Sequence, residues 1–164
     1  MHETKGHSPM QDDPPVTSTT AKSAVYVVAS KDYLTTCDIS DTIFELHTDA
    51  QVICHLSIET AMADICRHST IAVVFAEAGV ALVDQLQLDQ IIAARGGKLV
   101  LMGTAAEAEL EAAEIGSYPW PVLCRPFSAA VIKSWLPPRH TAPKATAGNN
   151  AGPDTLPLHL RIVD

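Results

Sequence analysis

The sequence has little of several features that would point to particular functions. Only 5% of its 164 residues are aromatic, and 11 Lys and Arg stand against 19 Asp and Glu, for a net charge of −8. A nucleic-acid-binding surface needs a basic footprint, so nucleic acid is not an expected ligand. No apolar run approaches the roughly 18 residues that cross a bilayer, and residues 1–22 lack the hydrophobic stretch of a secretory signal peptide. We therefore expect a cytoplasmic protein without membrane insertion.

The four cysteines lack the spacing of a metal or redox motif. None belongs to a Cys-x-x-Cys pair, and each lies within an apolar periodic segment: Cys37, Cys54, Cys66 and Cys124. Such cysteines are usually reduced thiols of the core. A zinc site would need Cys54 and His55 to converge with Cys66 and His68, but neighbours on a predicted strand point to opposite faces. No metal site is expected.

Composition divides the chain into a core and two tails. Residues 1–22 are rich in Pro, Ser and Thr, which predicts a disordered tail, and residues 137–164 read as a Pro/Ala-rich linker and C-terminal tail. The remaining core, 23–136, holds 6 basic and 14 acidic residues, so the acidity belongs to the folded part. The apolar end Leu156–Val163 is interpreted as a loose tail, with an edge strand or a linear motif that docks on another chain as the alternative.

Apolar periodicity in the core alternates between strand and helix. Short apolar runs predict strands covered on both faces, at 24–29, 51–56, 71–76, 98–102 and 121–124. Amphipathic segments predict helices at 32–47, 58–67, 80–95, 105–115 and 128–136. Five alternating units predict an α/β protein: a flavodoxin-like, doubly wound (βα)5 three-layer sandwich with a parallel five-stranded sheet in the order 2-1-3-4-5.

Three short motifs accompany these units. Gly103-Thr104-Ala105 follows the fourth strand, Arg125-Pro126-Phe127 follows the fifth, and Ala94-Arg95-Gly96-Gly97 precedes the fourth. With them, residues 23–136 resemble the receiver domain of a bacterial two-component response regulator, a CheY-like fold. Receivers carry Thr or Ser followed by Ala in the first position and Lys-Pro-Phe in the second. The resemblance implies a signalling module that is not an enzyme, and a cis bond before Pro126.

The departures from this pattern concern the phosphorylation chemistry. Where receivers place two acidic residues to hold Mg²⁺, this chain has Ala29 and Ser30, and Asp32 comes two or three residues later. Glu77 matches the phospho-accepting Asp, and Arg125 matches the Lys that pairs with the phosphoryl group. The extra methylene of Glu displaces the attacking oxygen by about an ångström, which can cost on the order of 100-fold in rate. We therefore predict a degenerate receiver that binds no Mg²⁺ and escapes ordinary phosphorylation.

Glu77 itself has two interpretations. In one, it permanently imitates a phospho-aspartate, with its charge against Arg125 and a hydrogen bond from the Thr104 hydroxyl, which would bias the domain toward an active-like state. In the other, which we favour, Glu77 is a carboxylate in solvent and Arg125 is a partly exposed residue at a strand end.

The acidic fourth predicted helix is the candidate partner surface. A solvated helix face is the simpler interpretation. The alternative is suggested by the resemblance, because receivers dock or form homodimers through the fourth helix, fifth strand and fifth helix. An acidic patch would favour a basic partner. The resemblance implies a partner from a signalling pathway: a histidine kinase, a phosphotransferase or a regulator. The residues assigned to this surface are Glu107, Glu111, Glu114, Val122 and Trp135.

Two other functions stay open. One is a genuine phospho-accepting single-domain response regulator in a phosphorelay, using Glu77 or Asp32. The other is a small flavodoxin-like ligand-binding domain or enzyme, with its pocket at the carboxyl ends of the strands around Ser30, Glu77 and Thr104. The first turn, Ser30–Tyr33, contains no glycine, so neither a dinucleotide fingerprint nor a Walker loop is present.

Overall fold

The computed structural model describes residues 23–138 and 160–162. The strands are β1 (Val25–Ala29), β2 (Gln51–His55), β3 (Val73–Glu77), β4 (Lys98–Met102), β5 (Val122–Leu123) and β6 (Leu160–Ile162). The helices are α1 (Tyr33–Leu46), α2 (Ile58–Arg67), α3 (Val80–Leu86), α4 (Leu88–Ala93), α5 (Thr104–Ala112) and α6 (Ala129–Trp135). Within these ranges no helix combines the length and apolar character that a membrane span requires. The predicted N-terminal tail, and the predicted linker as far as residue 159, lie outside the described residues.

All strands are parallel, in the order β5-β4-β3-β1-β2-β6. The first five confirm the predicted flavodoxin-like order. The sixth corrects the favoured interpretation of the chain end as a loose tail, because residues 160–162 pair with β2 as the edge strand given as the alternative. Ile162 stands opposite Cys54 in this register.

One predicted helix is two helices in the structure. The segment 80–95 divides at Gln87, whose φ of 49° is left-handed. The amide of Gln87 bonds the carbonyls of Val83 and Asp84, which closes α3 before α4 begins. Apolar periodicity continues across this break, so the sequence pattern does not reveal it.

The starts of two other helices follow from capping side chains. An Oδ atom of Asp32 accepts hydrogen bonds from the amides of Leu34 and Thr35, and Ser57 Oγ accepts from the amide of Thr60. Both caps satisfy amides that have no partner within the helix. The cap at Asp32 fixes where the chain turns from β1 into α1, next to the carboxyl edge of the sheet.

The core lies on both faces of the sheet. On one face, buried side chains such as Tyr26 and Phe75 pack under α1 and α6; on the other, residues such as Val27 and Leu101 pack under α2 to α5. Burial on both faces explains why the strands read as nearly continuous apolar runs instead of alternating ones.

Tyr26 makes the stability of this core sensitive to alkali. The side chain is fully buried, its hydroxyl has no hydrogen-bond partner within the described part of the chain, and burial raises the pKa of Tyr26 to about 12. The unfolded chain loses this proton near pH 10, so the folded state, which keeps it, loses stability between pH 10 and 12.

We expect the contribution of Tyr26 to the unfolding free energy to fall on the order of 2 kcal/mol across this range. The Tyr26→Phe variant should lack this part of the decline, while staying at least as stable as the wild type at pH 7 because the unpaired hydroxyl is gone. Urea unfolding at pH 7, 10 and 11.5 measures both, and parallel pH profiles for the two proteins would contradict the assignment.

Candidate functional site

The candidate site lies at the carboxyl edge of the sheet. All strands are parallel, so the loops that follow β1, β3, β4 and β5 meet there. These loops bring together five residues that the sequence analysis named: Ser30, Glu77, Gly103, Thr104 and Arg125. The location matches the rule that open α/β sheets carry their sites beyond the carboxyl ends of the strands.

Glu77 is anchored to the loop after β1. Its Oε2 accepts a hydrogen bond from Ser30 Oγ at 2.8 Å and from the amide of Lys31 at 3.0 Å. Ser30, which is 4% exposed, also accepts from the amide of Asp32 at 3.1 Å. The Ser30 hydroxyl therefore links the loop after β1 to the carboxylate at the end of β3.

Gly103 leaves the space in which the Glu77 side chain lies. A Cβ at position 103 would stand 2.7 Å from Cγ of Glu77, and the φ of +88° with ψ of 172° belongs to a region that side chains other than glycine rarely enter. Glycine is thus favoured at this position for two reasons: the backbone conformation and the closeness of the Glu77 side chain.

Arg125 is engaged by α5. Its amide and Nε donate to Oε1 of Glu107 at 2.9 and 3.1 Å, and Nη2 donates to Oε2 of Glu107 and to Thr104 Oγ1, both at 3.0 Å. These hydrogen bonds, mainly from the guanidinium, lower the pKa of Glu107, and the same contact raises the pKa of Arg125. The Arg125–Pro126 bond is cis, as the resemblance implied.

These contacts differ from both interpretations of Glu77. Neither a hydrogen bond nor an ion pair joins Glu77 to Arg125 or to Thr104 in the ranges that the structure describes. Thr104 instead accepts from Arg125. Glu77 is exposed, as in the favoured interpretation, but it is a bonded carboxylate and not a free one. The reason is local: the Ser30 hydroxyl and the Lys31 amide are nearer partners than the guanidinium that Glu107 already holds.

Asp32, the nearest carboxylate to Ala29 and Ser30, caps the start of α1. Besides the two amides it caps, it accepts from the Thr35 hydroxyl at 2.9 Å, and that bond is the main cause of its lowered pKa. Ala29 is fully buried. Between residues 23 and 138 and at 160–162, no three His, Cys, Asp or Glu side chains come close enough to hold a metal ion.

The space between these groups is small. A cavity of about 30 Å³ is lined by Ser30, Asp32, Glu77, Gly103 and Arg125 among others. A buried water needs about 10–15 Å³ measured in this way, so there is room for one or two waters but not for an organic ligand.

Glu109 makes contacts near the site that the sequence did not single out from its acidic helix. Its Oε2 accepts from the amide of Val80 at 2.9 Å and from the Tyr118 hydroxyl at 2.9 Å. Burial and this hydrogen bond raise the pKa of Tyr118 to about 12. Glu107 and Glu109 therefore bind neighbouring loops instead of facing solvent, and only the position of Tyr118 in the folded chain could have indicated it.

The five residues of the predicted partner surface lie in different surroundings in the structure. Glu111 and Glu114 are exposed, whereas Glu107 is paired with Arg125. Val122 and Trp135 are half-buried and pack against core clusters on opposite faces of the sheet. The fold therefore places these two apolar members of the predicted surface on opposite faces of the sheet.

No protein-family model matches the sequence, and no curated protein is significantly similar to it. Among solved structures, a response regulator receiver domain protein from Bacillus halodurans is 16% identical, covering 71% of this chain and 99% of that one, with a TM-score of 0.48. A response regulator receiver protein from Sinorhizobium medicae is 14% identical, covering 70% and 92%, with a TM-score of 0.49. Any function of this chain must therefore be argued from its own residues.

Proposed function

We propose that this protein is a degenerate receiver-like signalling module that acts by binding other proteins in the cytoplasm and is not phosphorylated in the Mg²⁺-dependent way. The observation that carries the proposal is the anchoring of Glu77 by the Ser30 hydroxyl and the Lys31 amide. A phospho-acceptor must present a free carboxylate oxygen to the incoming phosphoryl group. Here Oε2 accepts both hydrogen bonds, so within the described residues only Oε1 is left, and those bonds hold the side chain against Gly103 in a position that an incoming phosphoryl group would have to match.

The proposal also excludes Mg²⁺ binding, which the phosphorylation of receivers requires. Mg²⁺ keeps several waters in octahedral geometry and is bound in proteins by one or two carboxylates together with phosphate oxygens. Ala29 and Ser30 supply no carboxylate, and the Asp32 carboxylate already caps α1 and binds the Thr35 hydroxyl. The donor set does not fit the ion, so no step of the proposed function depends on it.

Two carboxylates of α5 support a single fixed state. Glu107 binds Arg125 in the loop after β5, and Glu109 binds the start of α3 in the loop after β3. A conformational switch needs two arrangements of comparable free energy. Both of these contacts would have to break before the domain could reach a second arrangement. The proposed module therefore offers partners one surface continuously. The exposed carboxylates of Glu111 and Glu114 favour basic proteins among those partners.

The test is a backbone NMR titration with Mg²⁺ and then beryllofluoride, alongside labelling with radioactive acetyl phosphate. We expect no shifts clustered at Asp32, Glu77, Thr104 and Arg125, and no label in the protein. A double variant, Ser30→Asp with Glu77→Asp, provides the positive control, because it supplies two carboxylates and a shorter acceptor. Labelling of the wild-type chain, abolished by Glu77→Gln, would overturn the proposal and restore the phosphorelay alternative.

A further inference from the structure

A second cavity lies between α1 and the carboxyl end of β2. Its volume is about 150 Å³, and we call it the α1–β2 cavity. It is larger than the cavity beside Glu77, although Ser30 lines both. Its described lining residues all fall between positions 30 and 56, with Cys37 and Phe44 of α1 facing Cys54 of β2. The cavity is therefore built by the β1–α1–β2 unit alone.

The α1–β2 cavity runs from a buried floor to an exposed mouth. At the floor, Ser40 and Cys54 are each 3% exposed, and Phe44 is half-buried beside them. At the mouth, Tyr33 is 69% and Leu56 57% exposed, although both are large and mainly apolar side chains. A recess with this gradient of burial can enclose a small molecule, whereas a flat apolar patch cannot.

The polar groups of the floor already have partners. Ser40 Oγ donates to the carbonyl of Thr36 at 2.8 Å, and Thr36 Oγ1 donates to the carbonyl of Asp32 at 3.0 Å. Since Ser40 has only one hydroxyl proton, the Cys54 thiol is the donor in the 3.6 Å contact between its Sγ and Ser40 Oγ. Burial raises the pKa of the Cys54 thiol, which keeps it neutral. The floor therefore offers an entering molecule mostly apolar surface, without a hydroxyl proton from Ser40 or Thr36.

The charges of the described lining favour neither an anion nor a cation. Lys31, in the loop after β1, and Asp41, on α1, are both exposed and carry opposite charges. His55 also lines the cavity, and its Nε2 lies 3.1 Å from a carboxylate oxygen of Asp64. An ionised ligand would lose hydration at the apolar floor without gaining a charged partner there. A neutral ligand is therefore favoured.

We propose that the α1–β2 cavity is a binding site for a small uncharged molecule with an aromatic or branched aliphatic body of about six to nine non-hydrogen atoms, since an engineered apolar cavity of this volume binds benzene. Enclosing such a molecule removes its apolar surface, and part of Tyr33 and Leu56, from water, and this burial supplies the affinity. The inference does not depend on the proposed function: it involves neither the hydrogen bonds of Glu77 nor those of Arg125, and either proposal can fail while the other stands.

The experiment titrates the isotope-labelled full chain with toluene and follows the NMR signals. We expect saturable shifts at Phe44, Cys54 and Leu56 with a Kd of about 1 mM or lower, which a molecule of this size can provide. Biphenyl should bind about tenfold more weakly or not at all, because it exceeds the cavity. The absence of saturable shifts with toluene would overturn the proposal. So would an affinity that keeps rising from toluene to biphenyl with shifts that spread to Leu34, which is 71% exposed, since the surface would then fit an apolar segment of a protein.

Cys37→Phe and Cys37→Ala are a matched pair of variants for the same titration. Phe adds a ring to the cavity wall and should lower the affinity for toluene about tenfold or more, whereas Ala leaves the cavity open and should keep the wild-type affinity within about threefold. Equal affinities of the two variants for toluene would show that it binds elsewhere, and would overturn the proposal.

The wild-type chain provides its own controls if Cys37→Phe does not fold. Cys66 and Cys124 are exposed and lie outside the cavity lining, whereas Cys37 is half-buried within it. Toluene at about four times its Kd should slow alkylation of Cys37 by iodoacetamide about fivefold, the factor by which the empty fraction of the site falls. The alkylation rates of Cys66 and Cys124 should not change, as peptide mass spectrometry measures. An unchanged rate at Cys37, or equal slowing at all three thiols, would overturn the proposal.

Discussion

Replacing Arg95 by Met should lower the unfolding free energy by about 3–4 kcal/mol, because one guanidinium satisfies four backbone carbonyls. Nε donates to the carbonyls of Ile65 and His68 at 2.8 and 3.1 Å, Nη2 to Cys66 at 3.2 Å, and Nη1 to Ile91 at 2.7 Å. Three of these carbonyls are at the end of α2, where no further turn of helix supplies a donor. The positive charge also faces the negative end of the α2 dipole.

Arg67 provides a matched control from the same helix end. Its side chain is 66% exposed and pairs with Asp64 within α2, so Arg67→Met should cost about 0.5 kcal/mol or less. Arg95→Lys should be almost as damaging as Arg95→Met, because an ammonium group cannot reach four carbonyls in a fixed planar arrangement. Urea unfolding with unchanged m-values measures all three. Similar losses for Arg67→Met and Arg95→Met would show that the charge, and not the carbonyl network, stabilises α2.

The sheet was predictable because its signal is local. Each strand of the core is buried on both faces, so each appears as an apolar run, and right-handed crossovers leave few possible strand orders. The break at Gln87 was not predictable, since neither glycine nor proline marks it. β6 is three residues long and follows a Pro-containing segment, so its local pattern indicated a tail about as well as a strand.

The site was predictable in its location but not in its contacts. Parallel topology alone places Ser30, Glu77 and Arg125 at one edge. Which atoms bond there depends on side-chain reach between residues far apart in sequence: Ser30 and Glu77 are separated by 47 positions and Glu107 and Arg125 by 18. Arg125 pairs with Glu107 and not with Glu77, because the Glu107 carboxylate accepts from both the backbone amide and the guanidinium of Arg125.

Gly103→Ala should lower the unfolding free energy by about 3–4 kcal/mol for two separable reasons. The φ of +88° with ψ of 172° costs a residue with a Cβ roughly 1–3 kcal/mol. The new Cβ would also stand 2.7 Å from Cγ of Glu77, so that side chain must move. Because Glu77 Oε2 is held by Ser30 and Lys31, moving it also costs two hydrogen bonds to a charged group.

Two further variants separate these reasons. Gly96 also has a positive φ, +71°, but no described atom lies within 4 Å of its Cβ position, so Gly96→Ala should cost about 1 kcal/mol from backbone strain alone. In a Glu77→Ala background, Gly103→Ala should cost less than in the wild type, by the part due to the collision. An unchanged cost in that background would mean that Glu77 does not rest on Gly103. The position assigned to the Glu77 carboxylate, on which the proposed loss of phosphorylation depends, would then be wrong. This double-mutant cycle therefore tests the site by stability measurements alone, without a partner or a phosphodonor.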